Sequence, residues 1–318
     1  MSALPTSLID ETSRPRTRRI LRVLSWLVSA ALLALAAWLL HRYLGAMRWR
    51  DVTAALAHLP RAHVAGAMAA TATSFAMLAT FDVLAARSVA PTRTRPGLAA
   101  FAGFAAHALS NTLGFHAFIG SAVRYRIYAS AALGGGDIAR IVGLASLGVG
   151  LGYAVLGAAG LLMEPAVVGG WGRIAGMAIV VLMAGLLAWL ARPRNLRLGR
   201  WAVTLPRSGS AALQMAIGGI EMSAAIGAMY LLLPPEIAPA FADFVPIYLA
   251  ALLAGIVSHA PGGLGVFEAI LLGAFPAEAR AEVLAGLLCY RLVYNLLPFG
   301  VAALALGVFE ARRRRAIP

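Results

Sequence analysis

Four residues, Pro261, Gly262, Gly263 and Gly265, break a long apolar run that begins near Val245 and resumes at Ala269. Proline withholds a backbone donor, and three glycines within four positions disfavour a continuous helix. Glu268 follows one turn into the resumed helix. The apolar flanks put the break at membrane depth, where freed peptide groups are tolerated only when buried in protein or lining a wet cavity. A carboxylate there costs several kcal/mol if it faces lipid. A broken helix with an acid beside it is the pattern of a binding site; the plainer alternative is a Gly/Pro connector with Glu268 at the water interface. The cations that would complete a site are Arg291, about ten residues (~15 Å) into the last apolar span, and Arg124 and Arg126, just after Gly120. Asn295 lies one turn beyond Arg291. A guanidinium fork suits phosphate better than any other side chain, so the chemistry is headgroup binding rather than bond making.

Each of these residues has a second reading. Arg126 divides evenly between a headgroup contact and snorkelling to the interface. Arg291 snorkels less readily and needs a carboxylate, Glu268 or Glu221, which a substrate phosphate could displace. Asp82 and Glu221, acids inside apolar spans, could carry a coupling proton or a charge pair; Asp82, near the end of its span, reads more simply as a loop cap. His107, His116 and His259 lack the spacing of metal ligands. Adjacent Ser258 and His259 do not face each other on a helix, so no hydrolase triad with Asp243 is expected. No cofactor and no metal are expected.

The elements that position these residues follow from hydropathy. Hydrophobic residues make up 61% of the 318, charged residues 13%, and the mean hydropathy is +0.81; a soluble domain carries about twice that charged fraction. All 27 basic residues are arginine, and the net charge is +14. They cluster at the ends and in a few loops without an aromatic-interleaved stripe, which argues against nucleic acid and for the positive-inside rule with attraction to anionic lipid. Cys289, the single cysteine, excludes an intrachain disulfide.

Residues 1–19 read as a disordered basic cytoplasmic tail, 20–310 as one transmembrane domain, and 311–318 as a second basic cytoplasmic tail. Full spans are predicted at 23–40, 62–84, 138–163, 174–191, 211–233 and 283–309, with an amphipathic interfacial helix over 47–61. Asp137 reads as a helix N-cap. Gly148 and Gly152, four apart in an apolar helix, predict close helix packing. The stretches 98–128 and 245–272 are broken and read as re-entrant hairpins. Making both re-entrant places the arginine-rich 192–207 loop and both termini inside, and the Glu164 and Glu236 loops outside. The expected fold is therefore all-α and polytopic, with six full spans and two re-entrant hairpins. Span, broken hairpin, span occurs as 62–163 and again as 211–309 with opposite sense. Such an inverted repeat, with broken helices meeting near the midplane, is the pattern of alternating-access transport.

The run from Pro261 to Glu268 closely resembles the proline-glycine-glycine-hydrophobic-glycine-x-x-glutamate motif of the lysylphosphatidylglycerol synthase transmembrane-region family. Phe81-Asp82, the segment Gly120 to Tyr128, and Tyr290-Arg291 through Gly300 are similar to further parts of it. The resemblance implies a polytopic bacterial inner-membrane protein that moves a lipid between leaflets or assists lipid modification. Larger members add a soluble aminoacyl-transferase domain, whereas this sequence stops at Pro318, so lysyl-lipid synthesis and enzyme activity are not expected. Two functions stay open: a flippase-like lipid transporter, or a non-transporting membrane partner that binds lipid or docks a separate lipid-modifying enzyme. Membrane lipids are the expected partners, with a homo-oligomer or such an enzyme left open.

Overall fold

A computed structural model describes residues 59–114, 116–163, 170–192, 206–258 and 260–315, with short pieces within 50–57 and 195–204. The expected span at 23–40 and the N-terminal tail lie outside the described residues, as does most of the expected interfacial helix. The described chain is a polytopic all-α membrane protein. Five helical stretches are long and apolar enough to cross a membrane: Arg61–Val89, Gly135–Met163, Gly172–Trp189, Ser208–Tyr230 and Ala277–Arg313. They coincide with five of the six spans read from hydropathy.

Helix α1 (Arg61–Val89) follows the extended Pro60 and stops before Pro91. Helix α2 (Pro96–Leu113) starts with proline at its first position, where the missing N–H costs nothing. It ends at Gly114, whose φ of 80° turns the chain into α3 (His116–Tyr128). Thirteen residues give α3 a length of about 20 Å, too short for a bilayer core of about 30 Å. The two arms run antiparallel: His107 of α2 touches Arg124 of α3, and Ser110 lies beside Gly120. Helix α4 (Gly135–Met163) begins two residues ahead of Asp137. That aspartate therefore sits in the first turn rather than at the N-cap, and pairs loosely with Arg140 at 3.5 Å. Helix α5 (Gly172–Trp189) follows, and then a short antiparallel hairpin, β1 (Asn195–Leu198) with β2 (Trp201–Thr204). This hairpin occupies the arginine-rich loop and departs from the purely helical expectation.

The second half repeats the plan. Helix α6 (Ser208–Tyr230) leads to the hairpin of α7 (Phe241–Val257) and α8 (Val266–Ala274), and α9 (Arg280–Tyr290) runs on into α10 (Leu297–Arg315). Between α9 and α10, residues Arg291–Leu296 form a widened π turn. Such turns are frequent at functional sites.

Helices α1, α4 and α6 pack on one another, with α2 laid against α1. The contact of α4 with α6 depends on glycine: a Cβ on Gly152 would stand 2.6 Å from the Cα of Gly218. The expected close approach at Gly148 and Gly152 is thus present, Gly148 facing the ring of Phe81. Helix α5 is peripheral. Ile174, Met177, Val181 and Leu182 are all more than half exposed, an apolar face of the kind that lipid covers.

Candidate functional site

The two breaks meet. Three glycines of positive φ, Gly262 (φ 60°), Gly263 (φ 67°) and Gly265 (φ 83°), reverse the chain between α7 and α8. A Cβ on Gly262 would lie 3.0 Å from the carbonyl oxygen of Thr112 and 3.2 Å from that of Asn111, at the end of α2. The backbone of the second break therefore touches the first, and only glycine fits that approach. The π turn joins the same junction. Thr112 Oγ1 donates to the Asn295 carbonyl at 3.1 Å, and Asn295 Nδ2 donates weakly to the Asn111 carbonyl at 3.3 Å.

Arg291 opens that turn and reaches the second break. Its Nε donates to Glu268 Oε1 at 2.6 Å and its Nη1 to the Gly262 carbonyl at 2.7 Å, while the guanidinium sits 5.4 Å from the ring centre of Phe267. Glu268 lies in the first turn of α8 and accepts the Gly265 amide at 2.8 Å, so one carboxylate caps the helix and holds the arginine. Nη2 of Arg291 is also 2.6 Å from Oε1 but is not aligned to donate to it. That nitrogen and Asn295 Oδ1 are buried without a hydrogen-bond partner among the described residues. Buried polar atoms without partners are rare in native proteins and call for an explanation such as a bound guest or water.

A second pair stands in the first half. Arg124 of α3 forks onto Asp82 of α1, Nε to Oδ1 at 2.8 Å and Nη2 to Oδ2 at 2.7 Å. Tyr128 adds its hydroxyl to Oδ1 at 3.1 Å. Asp82 is 0% exposed, so it is a buried counter-ion rather than the loop cap that its place near the span end implied. Gly103 makes room for it, since a Cβ there would fall 2.8 Å from Oδ2. Arg124 Nη2 also approaches His107 Nε2 at 3.0 Å. A guanidinium has no lone pair to offer, so Nε2 accepts and the imidazole proton is on Nδ1.

Glu221, midway along α6, is buried with no cation bonded to it among the described residues. Ser74 of α1 donates to its Oε1 at 2.9 Å and shares a 2.8 Å hydrogen bond with the Tyr294 hydroxyl. Tyr294 belongs to the same π turn as Arg291 and stacks on Tyr290 at 5.0 Å, and Tyr290 stacks in turn on Phe267 at 6.0 Å. Tyr248 and Tyr290 join hydroxyls at 2.6 Å.

One cavity of about 580 Å³ lies among these groups, and its wall includes Arg124, His107, Glu221, Arg291, Tyr294 and Asn295, together with Gly262 and Gly263, but not Asp82, Glu268 or Ser74. Residues from both halves thus converge on it. Gly265 stands back from the cavity as the amide partner of Glu268. Arg126 is not brought there. It forks onto Glu310 of α10 at 2.7 and 2.6 Å, with its side chain more than half exposed.

No family model matches the chain. An uncharacterized protein of Synechocystis sp. is 29% identical over 316 residues, covering 94% of this chain and 95% of the relative. The inner membrane protein YbhN of Escherichia coli is 26% identical over 318 residues, covering 95% and 96%. The phosphatidylglycerol lysyltransferase of Staphylococcus xylosus is 40% identical over 74 residues, 23% of this chain but 9% of that much longer protein. The chain is thus similar along nearly its full length to an uncharacterized protein and to an inner membrane protein, and over a short segment to a phosphatidylglycerol lysyltransferase.

Several residues of the site are not evident from sequence. Ser74 and Asn111 are ordinary polar residues in apolar helices, and Tyr290 and Tyr294 read as packing side chains. Their signal is positional: Tyr290 and Tyr294 are four apart and fall on one helix face flanking Arg291. Among the described residues no three His, Cys, Asp or Glu side chains gather in a group able to hold a metal ion; His259 lies outside them.

Proposed function

We propose that this protein is a flippase-like transporter that moves a polar lipid between the leaflets of the bacterial inner membrane, with both chain ends on the cytoplasmic side. The observation that carries the reading is the meeting of two broken hairpins at one cavity whose wall holds Arg124 and Arg291. About 580 Å³ is within the range of small-ligand sites, roughly 300–1,000 Å³, and accommodates a phosphate-bearing headgroup. Arg291 and Asn295 both lie on its wall, and Asn295 Oδ1 has no hydrogen-bond partner among the described residues. The substrate phosphate binds at Arg291, with Arg124 on the same cavity wall. The short likeness to an enzyme named for phosphatidylglycerol favours an anionic or modified phospholipid.

The test is a leaflet-resolved assay in proteoliposomes. Purified full-length chain should speed the exchange of a headgroup-labelled phosphatidylglycerol between leaflets, and Arg291→Leu should abolish the gain. If lipid binds but exchange stays at the protein-free rate, the chain is a lipid-binding partner of another enzyme instead.

A further inference from the structure

The cavity carries an imbalance that the transport reading leaves unused. Among the described residues two arginines of the wall, Arg124 and Arg291, stand against three carboxyls: Glu221 on the wall itself, and Asp82 and Glu268 bonded to the arginines without lining it. Asp82 and Glu268 are each spent on an arginine. Glu221 is not: its partner is the Ser74 hydroxyl, and the tyrosines that share the cavity wall with it are Tyr153 of α4, Tyr248 of α7, Tyr290 of α9 and Tyr294 of the π turn. Helix α5, which also packs on α6, brings only the exposed Arg173 at its start. The remaining ionisable groups of the wall are His107, bonded to Arg124, and His116, bonded to Asn111 at 3.0 Å. With Glu221 ionised the set is one negative charge in excess, and an anionic guest would add a second. Like charges on one cavity disfavour each other.

We infer that Glu221 is a proton-binding site linked to the cavity, so that an anionic headgroup and a proton on Glu221 load together. The inference rests on the lipid reading above and adds its coupling. The link is structural as well as electrostatic. Arg291, which would take the headgroup, and Tyr294, which shares the Ser74 hydroxyl with Glu221, lie on one π turn. A shift of that turn as Arg291 engages a guest changes the hydrogen bonds at Glu221. Asp82 is unsuited to this task, because protonating it would strand Arg124. By linkage, if the proton strengthens anion binding, the anion strengthens proton binding by the same factor.

The experiment is calorimetric titration of phosphatidylglycerol into the full-length protein in non-ionic detergent, in buffers of different ionisation enthalpy and across pH. Wild type should take up about one proton per lipid, and its Kd should rise about tenfold per pH unit once the free carboxyl is ionised. Glu221→Gln should bind with no proton uptake and a flat pH profile. A second measurement needs no variant: adding phosphatidylglycerol to wild type should increase the infrared band of protonated carboxyl. Binding without proton uptake in wild type overturns the inference, and so does uptake that survives in Glu221→Gln, which would move the site to His107 or His116. Preferred, proton-independent binding of phosphatidylethanolamine also overturns it, since an ammonium would then be what neutralises Glu221. Failure to bind either lipid removes the lipid reading itself, a result distinct from the other three.

Discussion

Replacing Arg291 by leucine leaves the Glu268 carboxylate with one donor, the Gly265 amide at 2.8 Å, and removes the 2.6 Å contact from Nε and the support of the Gly262 carbonyl. Breaking a buried pair from one side costs about 3–5 kcal/mol. The side chains here are 16% and 12% exposed, which puts the loss near the lower end, about 3 kcal/mol. Glu268→Gln keeps an oxygen for the Gly265 amide and loses the charge, so about 2 kcal/mol is expected, the scale of one charge-assisted hydrogen bond. If the two residues act as a pair, the double variant loses about 3 kcal/mol rather than about 5, a coupling of about 2 kcal/mol. Reversible unfolding in mixed micelles of rising SDS content measures all three. The double variant should still fail to exchange lipid, because the guanidinium is gone. Losses that add to within about 0.5 kcal/mol would refute the pairing and return Arg291 to Glu221 as a candidate partner. The same cycle on Asp82 and Arg124 should give a larger coupling, since that pair has two aligned hydrogen bonds and an acid with no exposure.

Two further outcomes follow from the break and the topology. Gly265→Ala meets open space and carries only the strain of a positive φ in a sparsely populated region, about 1–3 kcal/mol; Gly262→Ala adds a Cβ 3.0 Å from the Thr112 carbonyl oxygen and should reduce lipid binding well beyond its effect on stability. Equal effects of the two on binding would show that the meeting of the breaks is not needed. Cysteines placed in 164–170 and 234–243 should react with an impermeant reagent from outside, and those in 192–207 should not; labelling of the last set from outside overturns the arrangement with both ends inside.

The spans were legible because lipid enforces a simple rule: about twenty apolar residues, every backbone group satisfied within the helix. The two breaks were legible for the same reason, since Pro261 with its glycines, and the short run before Gly114, violate that rule visibly. The pairing of Arg291 with Glu268 could be anticipated because a mid-depth cation needs an anion and few were on offer. Where reading failed, the deciding fact was three-dimensional. Asp82 lies seven residues from the end of α1 by sequence, but α2 and α3 fold over it, so position along the span did not reveal its burial. Arg124 and Arg126, two apart on α3, cannot share a face; one meets Asp82 and the other Glu310, and periodicity alone could not say which pointed inward. The hydroxyls of Ser74 and Tyr294 gain meaning only from Glu221, 147 and 73 residues away along the chain.

The two ion pairs also have inverted parts. In the first half the acid, Asp82, is on the leading span and the arginine, Arg124, on the returning arm of the hairpin. In the second half the acid, Glu268, is on the returning arm and the arginine, Arg291, on the closing span. Each pair therefore ties a hairpin to a long helix beside the same cavity. The arginines differ in what they leave over. Arg124 spends Nε and Nη2 on Asp82 and His107, and its Nη1 makes no hydrogen bond among the described residues, whereas Arg291 sets Nε and Nη2 against Glu268 and Nη1 against the Gly262 carbonyl. A headgroup that takes the whole fork of either guanidinium must compete with its carboxylate. Removing a buried partner is costly, so a guest should first meet the arginines with both pairs intact. Any rearrangement that frees Arg124 must move α3 relative to α1, the two elements that its pair with Asp82 holds together.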